Sequence, residues 1–298
     1  MTIDNPIASP TANPVASPTA NPTANPTANP TANPTANPTA AAAKFHPHSG
    51  LGDKGGSPCC DTSACNSQER ADSRTERLIG PNACRKLTQS KVAVFGVGGV
   101  GGMAMEALVR SGVGNLILVD ADTVALSNLN RQIIATEATL GQAKVAVAQA
   151  RIAQINPQIN VVTRQIFIRP TTELNFIDDV DFVLDCIDTV SAKIHLIEYC
   201  LGNGIPIISA MGAGNRLDPS KMGISDISKT YNCRLAKVMR TELRHRGIRH
   251  LPVVFSSEVP LRTPAVDGKR MPPASMIFVP ATAGLLMANY VLSALIKN

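Results

Sequence analysis

The 298 residues are enough for one large α/β domain or two small ones, and a hydrophobic content of 44% supplies a buried core. Seven cysteines, scattered and odd in number, speak against a disulfide scaffold and for a reducing, cytoplasmic compartment. The net charge is +6, and it is concentrated: between Ser228 and His250 seven lysines and arginines face Glu242 alone, a local excess equal to that of the whole chain.

In chain order the first feature is a repeat. Nine four-residue units run from Asn5 to Ala40, the last five being perfect Asn-Pro-Thr-Ala copies that begin at Asn21. Proline at every fourth position permits neither a helix nor a strand ladder, and the units have almost no large apolar side chain to bury. Residues 1–69 are therefore expected to form a disordered tail, and residues 70–298 the folded domain. No basic region followed by an apolar block opens the chain, so no signal peptide is expected. Between Ala41 and Gln68, Cys59, Cys60 and Cys65 accompany His46 and His48. No pair has the Cys-x-x-Cys spacing of a zinc site, and solvated, unpaired thiols are the expectation.

Lys91 to Phe95 reads as a short buried strand, followed by the glycine turn Gly96-Val97-Gly98-Gly99-Val100-Gly101 and a helix from Met103 to Arg110, closed by Gly112. Such glycines allow a tight turn and close approach of backbone to a phosphate, which the helix N-terminus then stabilises. A second strand, Leu116 to Val119, ends in Asp120, at the distance from the glycines where a ribose-binding carboxylate belongs. On these features alone a nicotinamide-dependent oxidoreductase is the first choice. The next residues shift the balance: Asp120 to Gln132 carries amides and Arg131, and Gly141-Gln142-Ala143-Lys144 opens a further helix with a lysine. A triphosphate has more negative charge than a dinucleotide pyrophosphate and needs added cations or metal, and Arg131 and Lys144 are suitable cations.

The strand Asp181 to Cys186 leads to Asp188, placed where open α/β sheets bind ligands and where a carboxylate could hold magnesium. Asp185 lies within the strand and reads equally as a structural partner for a backbone amide. A helix from Ser191 to Leu201, stopped by Gly202 to Gly204, and a strand from Pro206 to Ala210 extend a Rossmann-like, mainly parallel sheet flanked by helices.

Taken together, GxGGVG, DxDxVxxSNxxRQ, GQAK and LDCxD resemble the ubiquitin-activating-enzyme-like adenylyltransferases, the superfamily of the molybdopterin-synthase and thiamine-biosynthesis activators. The resemblance runs from about Arg70 to the C-terminus. It implies ATP and Mg2+ as cofactors, a glycine turn of Gly96, Gly98, Gly99 and Gly101, Asp120 on the ribose, Asp122 at the nucleotide, Asn128, Arg131 and Lys144 around the phosphates, and Asp188 on the metal. It also implies a homodimer in which Arg77 reaches the partner subunit's ATP. Activators of sulfur carriers commonly hold zinc through two Cys-x-x-Cys pairs, and this chain has none after Gly80. Gly212-Ala213-Gly214, Asp218-Pro219, Ile224 to Thr230, Val254 to Glu258 and Phe278 to Leu286 instead resemble the tRNA threonylcarbamoyladenosine dehydratase branch. There the substrate is a tRNA whose modified adenosine, beside the anticodon, carries a free carboxylate. One departure stands out: Cys233-Arg234 occupies a place where that branch usually has Asp-Pro.

Lys237, Arg240 and Arg244 fall three and four apart and are expected on one helical face, toward tRNA phosphates, with Leu235, Val238 and Met239 packed inward. Cys233 is the residue a rival function would use, that of an activator forming a thioester or persulfide with a sulfur-carrier or ubiquitin-like protein. A nucleotide-binding module without chemistry is the third alternative. The apolar stretch from Met276 to Ile296 nearly reaches the length of a membrane span, but Pro280, Thr282, Asn289 and Tyr290 interrupt it, and a buried core helix is expected rather than a membrane anchor.

Overall fold

The computed structural model describes residues 70–262 and 272–297. The proline-rich segment, and with it the thiols and histidines weighed for zinc, lies outside the described residues. Two short helices, α1 (Ser73–Ile79) and α2 (Pro81–Gln89), precede the first strand β1 (Lys91–Phe95). Pro81 suits the first position of α2, where no backbone N–H is needed. Strand and helix then alternate through α3 (Gly101–Arg110), β2 (Asn115–Val119), α4 (Lys144–Ile155) and β3 (Asn160–Arg164). They continue through β4 (Phe182–Asp185), α5 (Val190–Gly202) and β5 (Ile207–Ala210). The last part comprises β6 (Met222–Asp226), α6 (Arg234–His245), β7 (Pro252–Ser256) and α7 (Phe278–Lys297).

Among the described residues seven strands form one sheet in the order β3-β2-β1-β4-β5-β7-β6, parallel throughout except for the β6–β7 pair. The four strands read from the sequence are all present within a residue or two of the expected ends. The sequence pattern does not predict β3, β6 and β7. β3 and β6 form the two edges, where side chains are only partly buried and the apolar signal is weak. The chain leaves β1 toward β2 and β3, then returns to the other side of β1 as β4. At the carboxyl ends of β1 and β4 the connections diverge and a crevice opens, the usual ligand position in such sheets.

Glycines fix how tightly this crevice is built. Gly96 has φ of +87°, and a Cβ there would lie 2.7 Å from the Cys186 carbonyl oxygen. A Cβ on Gly101 would overlap the Gly96 carbonyl oxygen, so the first turn of α3 sits directly on the end of β1. α7 crosses that turn in the same way, since a Cβ on Gly284 would overlap the Val100 carbonyl oxygen.

α7 is long and apolar enough to cross a membrane, with a mean hydropathy of 1.6 over its most apolar window. Buried residues recur every four positions, at Val279, Ala283, Met287, Val291 and Leu295, and the last four of these pack into the same core as β1, β2 and α3. One face of the helix is thus buried in the core, while Phe278 and Leu285 stand about half exposed. Glu106 of α3 adds a polar tie, pairing with Arg110 at 2.7 Å and with Arg151 of α4 at 2.6 Å. Burial pushes its carboxyl up, but the hydrogen bonds and charges of the two arginines outweigh this and hold it below the usual carboxylate range.

Gly284→Ala is expected to cost about 1–3 kcal/mol in urea unfolding, because a new methyl group has to displace main chain. Gly202→Ala, where a Cβ would meet no atom within 4 Å, is expected to stay within about 0.5 kcal/mol of the parent. Equal effects for the two variants would contradict the close α3–α7 approach.

Candidate nucleotide site and basic helix

A cavity of about 570 Å³ lies at the crevice, lined by Gly96, Gly98, Gly99, Asp120, Asp122, Asn128, Arg131, Lys144 and Asp188 among others. These are the residues expected at a nucleotide, drawn together from four separate segments of the chain. Gly101 does not line the cavity, and its role is the contact with Gly96. Arg77 lies elsewhere, exposed on α1.

Asp120, just past β2, straps the glycine turn. Its Oδ2 accepts from the Val97 N–H at 2.7 Å and its Oδ1 from the Asp122 N–H at 2.9 Å. An antiparallel bridge between Thr123 and Ala143 then folds the start of α4 back onto this loop. As a result the Lys144 Nζ reaches the Asp122 carboxylate at 2.7 Å. The lysine is buried to 5% exposure, whereas Asp122 is open to solvent, so the ammonium is held in place from the outer side. The Asn128 Oδ1 accepts from the Ala125 N–H at 3.0 Å and closes a 3-10 turn over Leu126–Asn128. From the end of that turn Arg131 donates to the Ser127 carbonyl at 2.7 Å. No carboxylate pairs with it among the described residues, so its charge faces the cavity uncompensated.

Under the far wall lies a polar cluster of a different kind. Asp185 and Lys193, both 0% exposed, pair at 2.9 Å. Asp185 also accepts from the Ser209 hydroxyl at 2.6 Å and from the Ile187 N–H at 3.2 Å, while Lys193 donates to the Ile187 carbonyl at 3.1 Å. The structural reading of Asp185 holds, with a lysine partner that sequence analysis did not single out. Removing one member of such a pair typically costs about 3–5 kcal/mol, because the other is stranded. The cluster pins the β4–α5 connection that presents Asp188. That carboxylate is exposed, and its Oδ1 accepts from the Thr189 hydroxyl at 3.4 Å. Among the described residues no three His, Cys, Asp or Glu side chains converge on a metal. An open carboxylate on the cavity wall nevertheless fits magnesium, which takes one or two carboxylates and completes its shell with phosphates and water.

The cavity is lined by several further residues that sequence analysis did not assign to it. Gln132, in the same motif as Arg131, is buried, and its Oε1 has no partner among the described residues. Ile166, Phe167 and Ile168 follow β3, Met211 to Gly214 follow β5, and Leu235, Pro273, Ser275 and Pro280 complete the wall. Apart from Leu235 on α6 and Pro280 on α7, these residues sit in connections that only the sheet brings together.

α6 begins at this wall, through Leu235, and runs away from it. Its buried stripe is Ala236, Met239 and Leu243. Val238, expected inside, is 45% exposed, because it falls on the far side of the helix from that stripe. Lys237 and Arg244 are exposed as expected. Arg240 differs: its guanidinium donates to the Thr230 carbonyl at 2.9 Å and hydroxyl at 2.6 Å, which ties it to the preceding loop. Cys233 is the N-cap of α6, and its Sγ accepts from the Ala236 N–H at 3.4 Å. The thiol thus takes the capping place that an aspartate would fill in the Asp-Pro variant, with Arg234 where proline is favoured. It is buried, unlike a thiol poised for transfer. Burial also pushes the Cys186 thiol up and that of Cys200 up to about 12, against nucleophilic use of either.

The chain matches the ThiF family model over residues 72–298. A tRNA threonylcarbamoyladenosine dehydratase of Bacillus subtilis is 45% identical over 240 residues, which are 76% of this chain and 94% of that protein. A crystal structure of Escherichia coli tRNA N6-threonylcarbamoyladenosine dehydratase in complex with AMP superposes with a TM-score of 0.70 at 34% identity, covering 75% of this chain and 93% of that one. The same enzyme in complex with ATP gives a TM-score of 0.69 at 33% identity, with the same coverage. The family match spans nearly the whole of the described fold, and this protein belongs to the ThiF family, in the branch of the tRNA threonylcarbamoyladenosine dehydratases.

Proposed function

We propose that this protein uses ATP to activate the carboxylate of threonylcarbamoyladenosine in tRNA and closes it into a ring with loss of water. Support comes above all from one juxtaposition: the cavity holding the glycine turn, Lys144 and Arg131 has as part of its wall Leu235, in the first turn of the basic helix. A tRNA lying along α6 would present a nucleoside at that wall, beside the phosphates.

The nucleotide's ribose is assigned to Asp120 and its triphosphate to the Gly96–Gly101 turn, Asn128, Arg131 and Lys144. Its base is assigned to the apolar wall at Ile166, Phe167 and Ile168. Magnesium held by Asp188 and phosphate oxygens would neutralise charge on the departing pyrophosphate. The acceptor carboxylate is ionised at neutral pH, since carboxyl groups titrate near ~4, and needs no general base. Its oxygen attacks the α-phosphorus, and the bond to pyrophosphate breaks. The neighbouring carbamoyl group then attacks the acyl carbon, AMP departs with the former carboxylate oxygen, and a proton passes to solvent. The protein's own part is placement and charge: Lys144 and Arg131 face the charge that grows as pyrophosphate leaves.

Activation of a sulfur-carrier or ubiquitin-like protein is the second reading, drawn from the wider family. The buried, capping Cys233 weighs against a thioester route through that residue.

Lys144→Ala and Arg131→Ala are each expected to raise the adenylation barrier by about 2–4 kcal/mol, the range for removing one preorganised charged donor. Single-turnover AMP formation at saturating ATP measures this, and a wild-type rate in either variant removes that residue from the site.

Arg77, exposed on α1, is assigned to the partner subunit's nucleotide in a homodimer. Inactive Arg77→Ala and Asp188→Ala subunits, mixed, should then recover part of the activity through hybrid dimers. Hybrids that form but remain inactive would rule this out.

The double variant Lys237→Ala/Arg244→Ala should weaken tRNA binding and lower the salt slope by about 1 for each phosphate no longer neutralised. ATP affinity should not change. Arg240→Ala should mainly lower thermal stability, because its guanidinium is spent on Thr230. Unchanged tRNA affinity and salt slope in the double variant would return α6 to an ordinary solvated helix.

A further inference from the structure

Arg216 belongs to none of the motifs assigned above, yet it is the arginine most deeply placed near the cavity, at 4% exposure. Its acceptors are all main-chain carbonyls. Nη1 donates to Gly212 at 2.8 Å and to Gly214 at 3.1 Å, and Nη2 to Asn232 at 2.8 Å. Nε has no partner, and no carboxylate pairs with the guanidinium among the described residues. A buried cation without a counter-charge is costly to hold and leaves its field uncancelled.

The field falls on the cavity. Gly212, Ala213 and Gly214 line it, and a Cβ on Gly212 would lie 3.9 Å from Nη1, so the guanidinium sits directly behind that wall. The peptide between Gly212 and Ala213 is trans, as are all those described. With the Gly212 carbonyl directed at Arg216, the Ala213 N–H points within the same peptide plane in the opposite direction, away from the guanidinium. The Gly214–Asn215 peptide, two further on, behaves in the same way: the Gly214 carbonyl faces Arg216, and the Asn215 N–H points the other way, to the Ala274 carbonyl at 2.6 Å. The third acceptor, Asn232, immediately precedes the N-cap of α6, so the arginine joins the loop after β5 to the amino end of the basic helix.

We propose that Arg216 is a positioning residue for the acyl acceptor. By holding the Gly212 and Gly214 carbonyls it presents the Ala213 N–H, beside the amino end of α6, to an anionic group in the cavity. That group is the carboxylate of the modified nucleoside, set between this loop and the α-phosphate. The cation acts through the loop and through its field rather than by contact. This inference rests on the function proposed above.

The test uses the full-length protein and three variants, Arg216→Lys, Arg216→Met and Ala213→Pro, the last removing the N–H while leaving the arginine. Single-turnover AMP formation with threonylcarbamoylated tRNA is expected to fall about 100- to 1,000-fold in Arg216→Met and Ala213→Pro, the range for a missing preorganised donor. Affinities for ATP and for unmodified tRNA should stay within about twofold, because phosphate contacts made elsewhere dominate both. A second readout separates positioning from general support: the parent should bind carboxylate-bearing tRNA more tightly than its methyl ester, and the variants should lose that preference. Arg216→Lys, which keeps the charge and part of the bonding, should fall between parent and Arg216→Met. Should Arg216→Met fail to fold, the other two variants decide. Parent-like AMP formation in Arg216→Lys and Ala213→Pro, or loss of ATP affinity in step with activity, overturns the inference. If the parent itself forms no AMP with modified tRNA, the proposed function fails, and this inference falls with it.

Discussion

Main chain meets main chain without room for a side chain at the crevice: Gly96 against the Cys186 carbonyl, Gly101 against Gly96, and Gly284 of α7 against Val100. These contacts bring β1, the start of α3, the end of β4 and the core helix to one point. A phosphate can approach the Gly96–Gly101 turn because no Cβ stands in its way, and the aligned amides of α3 begin immediately behind it. Asp120 then locks the turn through the Val97 N–H. The ligand-facing loop is therefore held rigid from below, and rigidity is what makes its donors useful in a transition state.

Charges in this protein divide by whether a partner already satisfies them. Asp185 with Lys193, and Glu106 with its two arginines, are already paired; the first fixes α5 against β4 beneath the cavity wall and the second ties α4 to α3. Lys144 is an intermediate case, oriented by an exposed Asp122 that a phosphate could outcompete. Arg131 and Arg216 have no carboxylate partner among the described residues. Both stand at the cavity, one on its surface and one behind it, where they favour a strongly anionic reactant.

The basic helix separates in the same manner. Arg240 is engaged with Thr230, while Lys237 and Arg244 reach solvent. Its first turn begins at the cavity wall and its capping residue is Cys233. Although Asp-Pro is replaced at this point, a side-chain cap on the first turn is present, from the Cys233 Sγ to the Ala236 N–H.

Much of this is legible in the amino-acid order. β1, β2, β4 and β5 are continuous apolar runs because parallel strands are buried on both faces, and the glycine turn announces itself by composition. Lys144 and the carboxylates Asp120 and Asp188 each lie within a few residues of a strand end or helix start, whereas Arg131 stands out only through the motif between β2 and α4. Edge strands β3 and β6 do not show, because half-exposed strands carry a mixed pattern. Nor can local order reveal that Lys193 neutralises Asp185, that Arg240 turns back onto Thr230, or that Val238 faces outward. Arg216 is equally silent, since its acceptors are carbonyls at positions 212, 214 and 232, and carbonyls belong to every residue alike. Composition and spacing set which groups are present at each strand end. Which of those groups are already satisfied, and which remain for a ligand, depends on distances between segments far apart in the chain, and only the packed sheet and its helices determine those.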